Sequence, residues 1–193
     1  MTPDRPRLRH LPGWVAGPEA DRWLRRLLEE VTWKQEHITV YGRRHAMPRL
    51  TCWMADSGCG YRYSGLENRI EPWAPLVETI RRRVAATAGR SFNSLLLNLY
   101  RDGRDAMGWH ADDEPELDAG APIASLSLGA SRTLRFRPRQ RDAAPSEAME
   151  LGHGDLLFMD PPTQQHWQHG LPRRVKVTGP RVNLTFRVVT AGG

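Results

Sequence analysis

Cysteine is nearly absent from this chain. Only Cys52 and Cys59 occur among 193 residues, which excludes a disulfide-stapled secreted scaffold, and their spacing fits no zinc site of paired cysteines. Long apolar runs are missing as well: none approaches the roughly 20 residues needed to cross a bilayer. The first ten residues, Met1–His10, are rich in Arg and Pro with no apolar stretch behind them, so a secretory leader is not expected. These absences point to the cytoplasm and away from any membrane. Lysine is the third scarcity, since of 28 cationic residues only Lys34 and Lys176 are not arginine. Planar guanidinium groups bind phosphate in a bidentate way and stack on bases, which suits a nucleic-acid partner, although a GC-rich genome gives the same bias.

What is present is the make-up of one globular domain, with 39% apolar and 26% charged residues and a formal net charge of +6. Arginines cluster at Arg43, Arg44 and Arg49, at Arg81 to Arg83, and at Arg132, Arg135, Arg137, Arg139 and Arg141. Against this background Asp112, Asp113, Glu114, Glu116 and Asp118 form an acidic island that needs a reason.

Residues 1–16 read as a basic tail. Pro18, Glu19 and Asp21 then mark a helix start, and Ala20, Trp23, Leu24, Leu27, Leu28 and Val31 recur at helical spacing, which predicts a helix over about 18–31. A second helix is predicted from Pro72 to Ala88, stopped by Gly89, with Arg81 to Arg83 facing water. Short strands and hairpins are expected around 38–41, 51–54 and 60–63. From Phe92 onward six strand-like runs follow one another, 92–100, 123–128, 133–137, 155–159, 174–177 and 182–189, with an exposed loop over 138–147. Strands after a helical beginning predict an α+β, mainly β protein: a sandwich, jelly roll or barrel over 92–193, buttressed by helices within 17–91.

Period-two alternation in β-type segment 181–188 puts Val182, Leu184, Phe186 and Val188 on one face and Arg181, Asn183, Thr185 and Arg187 on the other. The plain reading leaves the polar face in water. Inside a closed barrel, two buried guanidinium groups demand an anion, and a small dicarboxylate satisfies both. Asn98 and Tyr100 likewise share one face of an otherwise apolar strand. At the acidic island, His110 and Asp112 stand at i and i+2, pointing the same way from an extended segment. That is two-thirds of a two-His, one-carboxylate facial triad, which holds Fe(II) while leaving positions open. His153, His166 and His169 are the candidates for the third ligand.

Taken together, His110, Asp112, a later His, and Arg181-Val-Asn183 with Arg187 resemble the AlkB family of iron(II) and 2-oxoglutarate dependent dioxygenases. The likeness spans about residues 40–189 and is closest to the homologue 2 and 3 type, through Asn98-Leu-Tyr100-Arg-Asp-Gly and Pro122-Ile-Ala-Ser. The resemblance selects His169, in His169-Gly-Leu-Pro, as the third iron ligand, and implies a double-stranded β-helix core. It implies that Asn98, Tyr100, Arg181, Asn183 and Arg187 bind 2-oxoglutarate. It places Tyr41 and Gly42 in a finger that enters the base stack, with Tyr where a duplex-acting relative has Phe. Tyr61 and Tyr63 are implied to sandwich a flipped base against His110, Asp113 and Glu114 to face its amino edge, and Arg43, Arg44 and Arg49 to hold phosphates. The activity implied is oxidative demethylation of 1-methyladenine and 3-methylcytosine in DNA, with iron, 2-oxoglutarate and O2 consumed to release formaldehyde and succinate. The same chemistry on RNA or protein, or a barrel that only binds nucleic acid, are the alternatives. A monomer is expected.

Overall fold

The computed structural model describes residues 4–40, 42–59, 62–63, 66–67, 70–140 and 144–190, with backbone alone for Val40 and for 62–63 and 66–67. Along the chain run β1 (Leu8–Leu11), α1 (Gly17–Glu30), β2 (His37–Val40), β3 (Arg43–Ala46), β4 (Leu50–Ala55), β5 (Arg62–Tyr63), β6 (Leu66–Glu67) and α2 (Pro75–Ala88). They are followed by β7 (Ser94–Tyr100), β8 (Met107–His110), β9 (Ile123–Gly129), β10 (Arg132–Pro138), β11 (Glu147–Leu151), β12 (Leu156–Met159), α3 (Thr163–His166), β13 (Trp167–Leu171) and β14 (Arg181–Arg187).

Two antiparallel sheets carry the architecture. A six-stranded sheet runs in the order β1-β12-β9-β14-β7-β4, and a four-stranded sheet in the order β11-β10-β13-β8. The hairpins β2-β3 and β5-β6 stand apart as two-stranded units. Alternation along the central strands decides what each layer holds. One face of the large sheet presents Leu95, Leu97, Ala124, Leu126, Leu156, Phe158, Val182, Leu184 and Phe186 to Trp23 and Leu27 of α1 and Leu76, Val77 and Ile80 of α2. Its other face meets the small sheet through Tyr100, Ile123, Leu157 and Met159 against Leu134, Phe136, Trp167 and Leu171. This is the double-stranded β-helix core with buttressing helices that the sequence led us to expect.

Helix α1 begins with Pro18 in its first turn and Glu19 against the positive end of its dipole, and α2 ends on Gly89 at φ +69°. The two helices are joined by Arg83, whose guanidinium donates to Glu19 Oε2 (2.8 Å) and the Trp14 carbonyl (3.0 Å) and lies 4.6 Å over the Trp14 ring. Arg81 binds Asp56 Oδ1 at 2.6 Å and lies 4.3 Å over Trp73. Neither of these cations is the solvated surface group that its place in a triple-arginine run suggested.

Three further expectations are corrected. The basic tail contains β1, the edge strand of the large sheet, pinned by Arg9 forked onto Asp160 (2.6 and 2.9 Å) and by His10 against Asp155 (2.9 Å). Residues 174–177 form a turn rather than a strand, and the strand before β14 is β13. The polar face of β14 is not in water, because all seven residues of that strand are buried.

Candidate active site

Adjacent strands bring the two histidines together. In the β8–β13 pair His110 lies directly opposite His169, with ring centroids 4.2 Å apart. Gly170 permits this approach, since a Cβ there would come within 3.3 Å of the Met107 carbonyl. Asp112, just past β8, turns its carboxylate to both rings: Oδ1 is 3.9 Å from His110 Nε2 and Oδ2 is 3.9 Å from His169 Nε2. One donor atom from each residue falls within 4.8 Å of the others, and this is the cluster of metal-ligating side chains found among the described residues.

The electrostatics suit a cation. Burial alone would raise the Asp112 carboxyl, but Arg187, His110 and His169 outweigh it and hold the group ionised down to about 2. Burial, with help from His110 and Arg187 and against Asp112, pushes His169 down to about 3, so its imidazole is neutral and free to ligate. His110 Nδ1 lies 3.0 Å from the Gly108 carbonyl; with the proton on that nitrogen, Nε2 keeps a lone pair for a metal. Arg187 Nη2 donates to Asp112 Oδ1 at 2.6 Å and orients the carboxylate, while the Asp112 backbone N–H donates to Gln164 Oε1 at 3.0 Å and fixes the backbone that carries it.

The triad opens into a cavity lined also by Asn98, Tyr100, Ser125, Arg181, Asn183, Thr185 and Arg187. Arg181 is buried, donates Nη2 to Ser127 Oγ at 2.9 Å, and leaves Nε without a hydrogen-bond partner. Its guanidinium is pushed down to about 10, first by burial and further by Arg132, with Tyr100 opposing. Tyr100 carries Arg181 on its ring at 5.3 Å and Arg132 at 5.7 Å. Asn183 donates to Ser125 Oγ (2.8 Å) and the Leu126 carbonyl (3.1 Å), which fixes its amide. A buried cation with an unsatisfied donor and no carboxylate beside it is a receptor for an anion. Two imidazoles, one carboxylate and this cationic wall fit Fe(II) and a small dicarboxylate held together.

A family model described as the 2OG-Fe(II) oxygenase superfamily matches residues 7–187. The chain belongs to that superfamily. Within it, the chain falls in the AlkB family: it is 44% identical over 180 residues to DNA oxidative demethylase ALKBH2 of Mus musculus, covering 89% of this chain and 75% of that protein. The Homo sapiens protein of the same name is also 44% identical, with 89% and 69% covered. Alpha-ketoglutarate-dependent dioxygenase alkB homolog 3 of Homo sapiens is 41% identical over 186 residues, with 92% of this chain and 64% of that protein covered. The chain thus spans about two-thirds to three-quarters of these relatives. Among solved structures, that of OsALKBH1 superposes with a TM-score of 0.61 at 19% identity, over 95% of this chain and 98% of that one. A 2OG-Fe(II) oxygenase family oxidoreductase from Burkholderia pseudomallei gives 0.59 at 16% identity, over 93% and 84%. An AlkB-family oxygenase uses Fe(II), 2-oxoglutarate and O2, and the His110–Asp112–His169 cluster is of the kind that suits such a metal.

The residues expected to meet nucleic acid are scattered more widely. Gly42, at φ +75°, follows β2 in the two-residue loop of the β2–β3 hairpin, and Arg43 and Arg44 beside it are exposed. Tyr41 and Tyr61 lie outside the described residues, and of Tyr63 only the backbone, in β5, is described. Asp113 is exposed and ion-paired with Arg139, while Glu114 has one carboxylate oxygen buried without a hydrogen-bond partner. Both border a cavity of about 360 Å³ that shares Asp112 and Arg187 with the cavity at the triad. Arg49 departs from expectation: it is buried, and its Nε donates to Asn98 Oδ1 at 2.8 Å. Its neighbour Leu50 opens β4, which pairs with β7 opposite Leu99, so the side chain is carried to the co-substrate wall rather than to a phosphate. Sequence reasoning missed Gln164, Ser125, Ser127 and Arg132. Ser125 stands in the Pro122-Ile-Ala-Ser motif and Arg132 in an arginine cluster, but neither pattern marks a role in the site, and the pairing of distant strands is what brings all four to it.

Proposed function

We propose that this protein repairs alkylated DNA by oxidative demethylation of bases such as 1-methyladenine and 3-methylcytosine. The observation that carries this is the His110–Asp112–His169 cluster, with Asp112 and His169 buried and His110 half-buried, beside an uncompensated Arg181, in a chain 41–44% identical to the relatives named above. When bound, Fe(II) with 2-oxoglutarate and O2 supplies the oxidation of an N-methyl C–H bond, giving succinate and CO2. The protein's own part is placement. His110, Asp112 and His169 would hold the metal. Arg181, stacked on Tyr100 and fixed by Ser127, would receive a carboxylate of the co-substrate. Arg187 holds Asp112 ionised and oriented, and Asn183 keeps the polar wall rigid through Ser125 and Thr185. Arg49 and Asn98 brace each other on the same wall.

On the substrate side, Asp113 and Glu114 place carboxylates near the metal cluster, where they favour a base made cationic by alkylation. Exposed Arg43 and Arg44 on the hairpin offer phosphate contacts. The N-hydroxymethyl product is a hemiaminal, which loses formaldehyde as the ring nitrogen regains its proton or lone pair. The test is formaldehyde release from 1-methyladenine and 3-methylcytosine oligonucleotides, run side by side as single-stranded DNA, duplex DNA and RNA. DNA is expected to be turned over, and Asp112→Ala to abolish it. Turnover of methylated RNA alone would reassign the substrate.

A further inference from the structure

The arginine-rich segment 132–139 is divided by its strand. Arg132 points inward to Tyr100, while Arg135 and Arg137 stand on the outer face of the four-stranded sheet, exposed to solvent. On that outer face a short ladder crosses three strands. Arg137 of β10 is register partner to Gln168 of β13 and donates Nε and Nη2 to its Oε1 at 3.0 and 2.8 Å. The same guanidinium lies 4.5 Å over the ring of Trp109 in β8. Of the seven tryptophans, Trp109 is the exposed one, at 40%. It is adjacent in sequence to His110, so it stands one residue from the metal cluster.

The Trp109 indole lies under a guanidinium pinned by Gln168 and is 40% exposed to solvent, next to cations. A planar, uncharged π-surface attached to phosphates complements all of these features at once. Resting on the repair reading above, we propose that Trp109 is a stacking platform for an unpaired nucleobase next to the lesion, with Arg137 setting the plane of the ring and Arg135 and Arg137 attracting the backbone. A base inside a duplex already has both faces stacked, so the platform assigns this enzyme to single-stranded or locally opened DNA.

The experiment compares methylated 15-mer single-stranded DNA with the corresponding methylated mononucleotide, which has no flanking base, in wild type, Trp109→Ala and Trp109→Phe. Stacking energies of about 1–3 kcal/mol per base correspond to roughly 5- to 150-fold in affinity. The ratio of kcat/KM for the 15-mer to that for the mononucleotide is expected to fall by about that factor in Trp109→Ala, mainly through KM, and to hold in Trp109→Phe. An unchanged ratio in Trp109→Ala would overturn the platform. So would equal losses on both substrates, which would make Trp109 a support for His110. Fluorescence anisotropy with unmodified single-stranded 15-mer separates this from the repair reading. If wild type turns over neither methylated substrate, the repair reading fails, yet weaker binding of the unmodified strand by Trp109→Ala still supports the platform and equal binding overturns it.

Discussion

The two faces of β14 are equally hidden from water and are held in opposite ways. Val182, Leu184 and Phe186 have no exposure at all and pack on the helices, whereas Arg181, Asn183, Thr185 and Arg187 are between 2 and 6% exposed and face the small sheet. On the helix side, stability comes from apolar area removed from water and from close packing. On the inner side, burial costs free energy that only hydrogen bonds, an ion pair and an arriving anion offset. Burial therefore does not separate core from active site in this protein. What separates them is whether the buried groups are complete without a ligand.

The sharpest way to break that comparison is to remove Asp112. Asp112→Ala takes away a metal ligand and leaves Arg187 facing two imidazoles, so turnover should fall to background and metal titration should show no saturable binding. A retained site would mean that the inner face is ordinary core. Next come paired truncations on the two faces. Phe186→Ala should lower unfolding free energy by about 3–5 kcal/mol in urea titration. Arg181→Met, of similar volume, should leave the ligand-free protein as stable or more stable by about 1 kcal/mol, because it removes an uncompensated charge. The same change should weaken 2-oxoglutarate binding by about 2–5 kcal/mol, read by calorimetry. A loss of stability in Arg181→Met would erase the contrast.

A smaller effect is expected at Gln164, which bears on the triad through a hydrogen bond from the Asp112 backbone N–H. Gln164→Ala should weaken metal affinity by about 10- to 100-fold with little change in melting temperature. Acid acts on the same groups. Between pH 6.5 and about 3 the unfolded chain takes up a proton at His169 that the folded one refuses, and below 3.8 Asp112 adds the same tendency down to about 2. Stability of the metal-free protein should thus fall as pH drops through that window, and His169→Gln should flatten the slope seen by calorimetry.

The sequence made one face of this contrast plain and half concealed the other. Alternation in residues 181–188 names both faces, but a period of two cannot say that a second sheet closes over the polar one. Helices α1 and α2 were legible from periodicity and from Pro and Gly signals. Strand β1 was not, because Leu-Arg-His-Leu carries charge like a tail and becomes a strand only by pairing with β12. β13 was hidden for the opposite reason: Trp-Gln-His-Gly-Leu contains a glycine and an amide, and its strand geometry comes from β8 and β10 on either side. Residues 174–177 show how valines at alternate positions mislead where no partner strand exists, and Val175 is 72% exposed. The ligands themselves were readable by spacing and family likeness. Arg49 was misplaced because nearness in sequence to Arg43 and Arg44 says nothing about a turn into β4.

The opposition of His110 to His169 across β8 and β13 makes the metal centre a gauge of alignment between two strands. Between these strands, loops that carry none of the site's residues can lengthen or shorten with little consequence for the cluster, whereas the turn from His110 to Asp112 cannot. A single inserted residue within either strand would rotate one imidazole to the outside of the sheet, so tolerance to length variation should change abruptly at the strand ends.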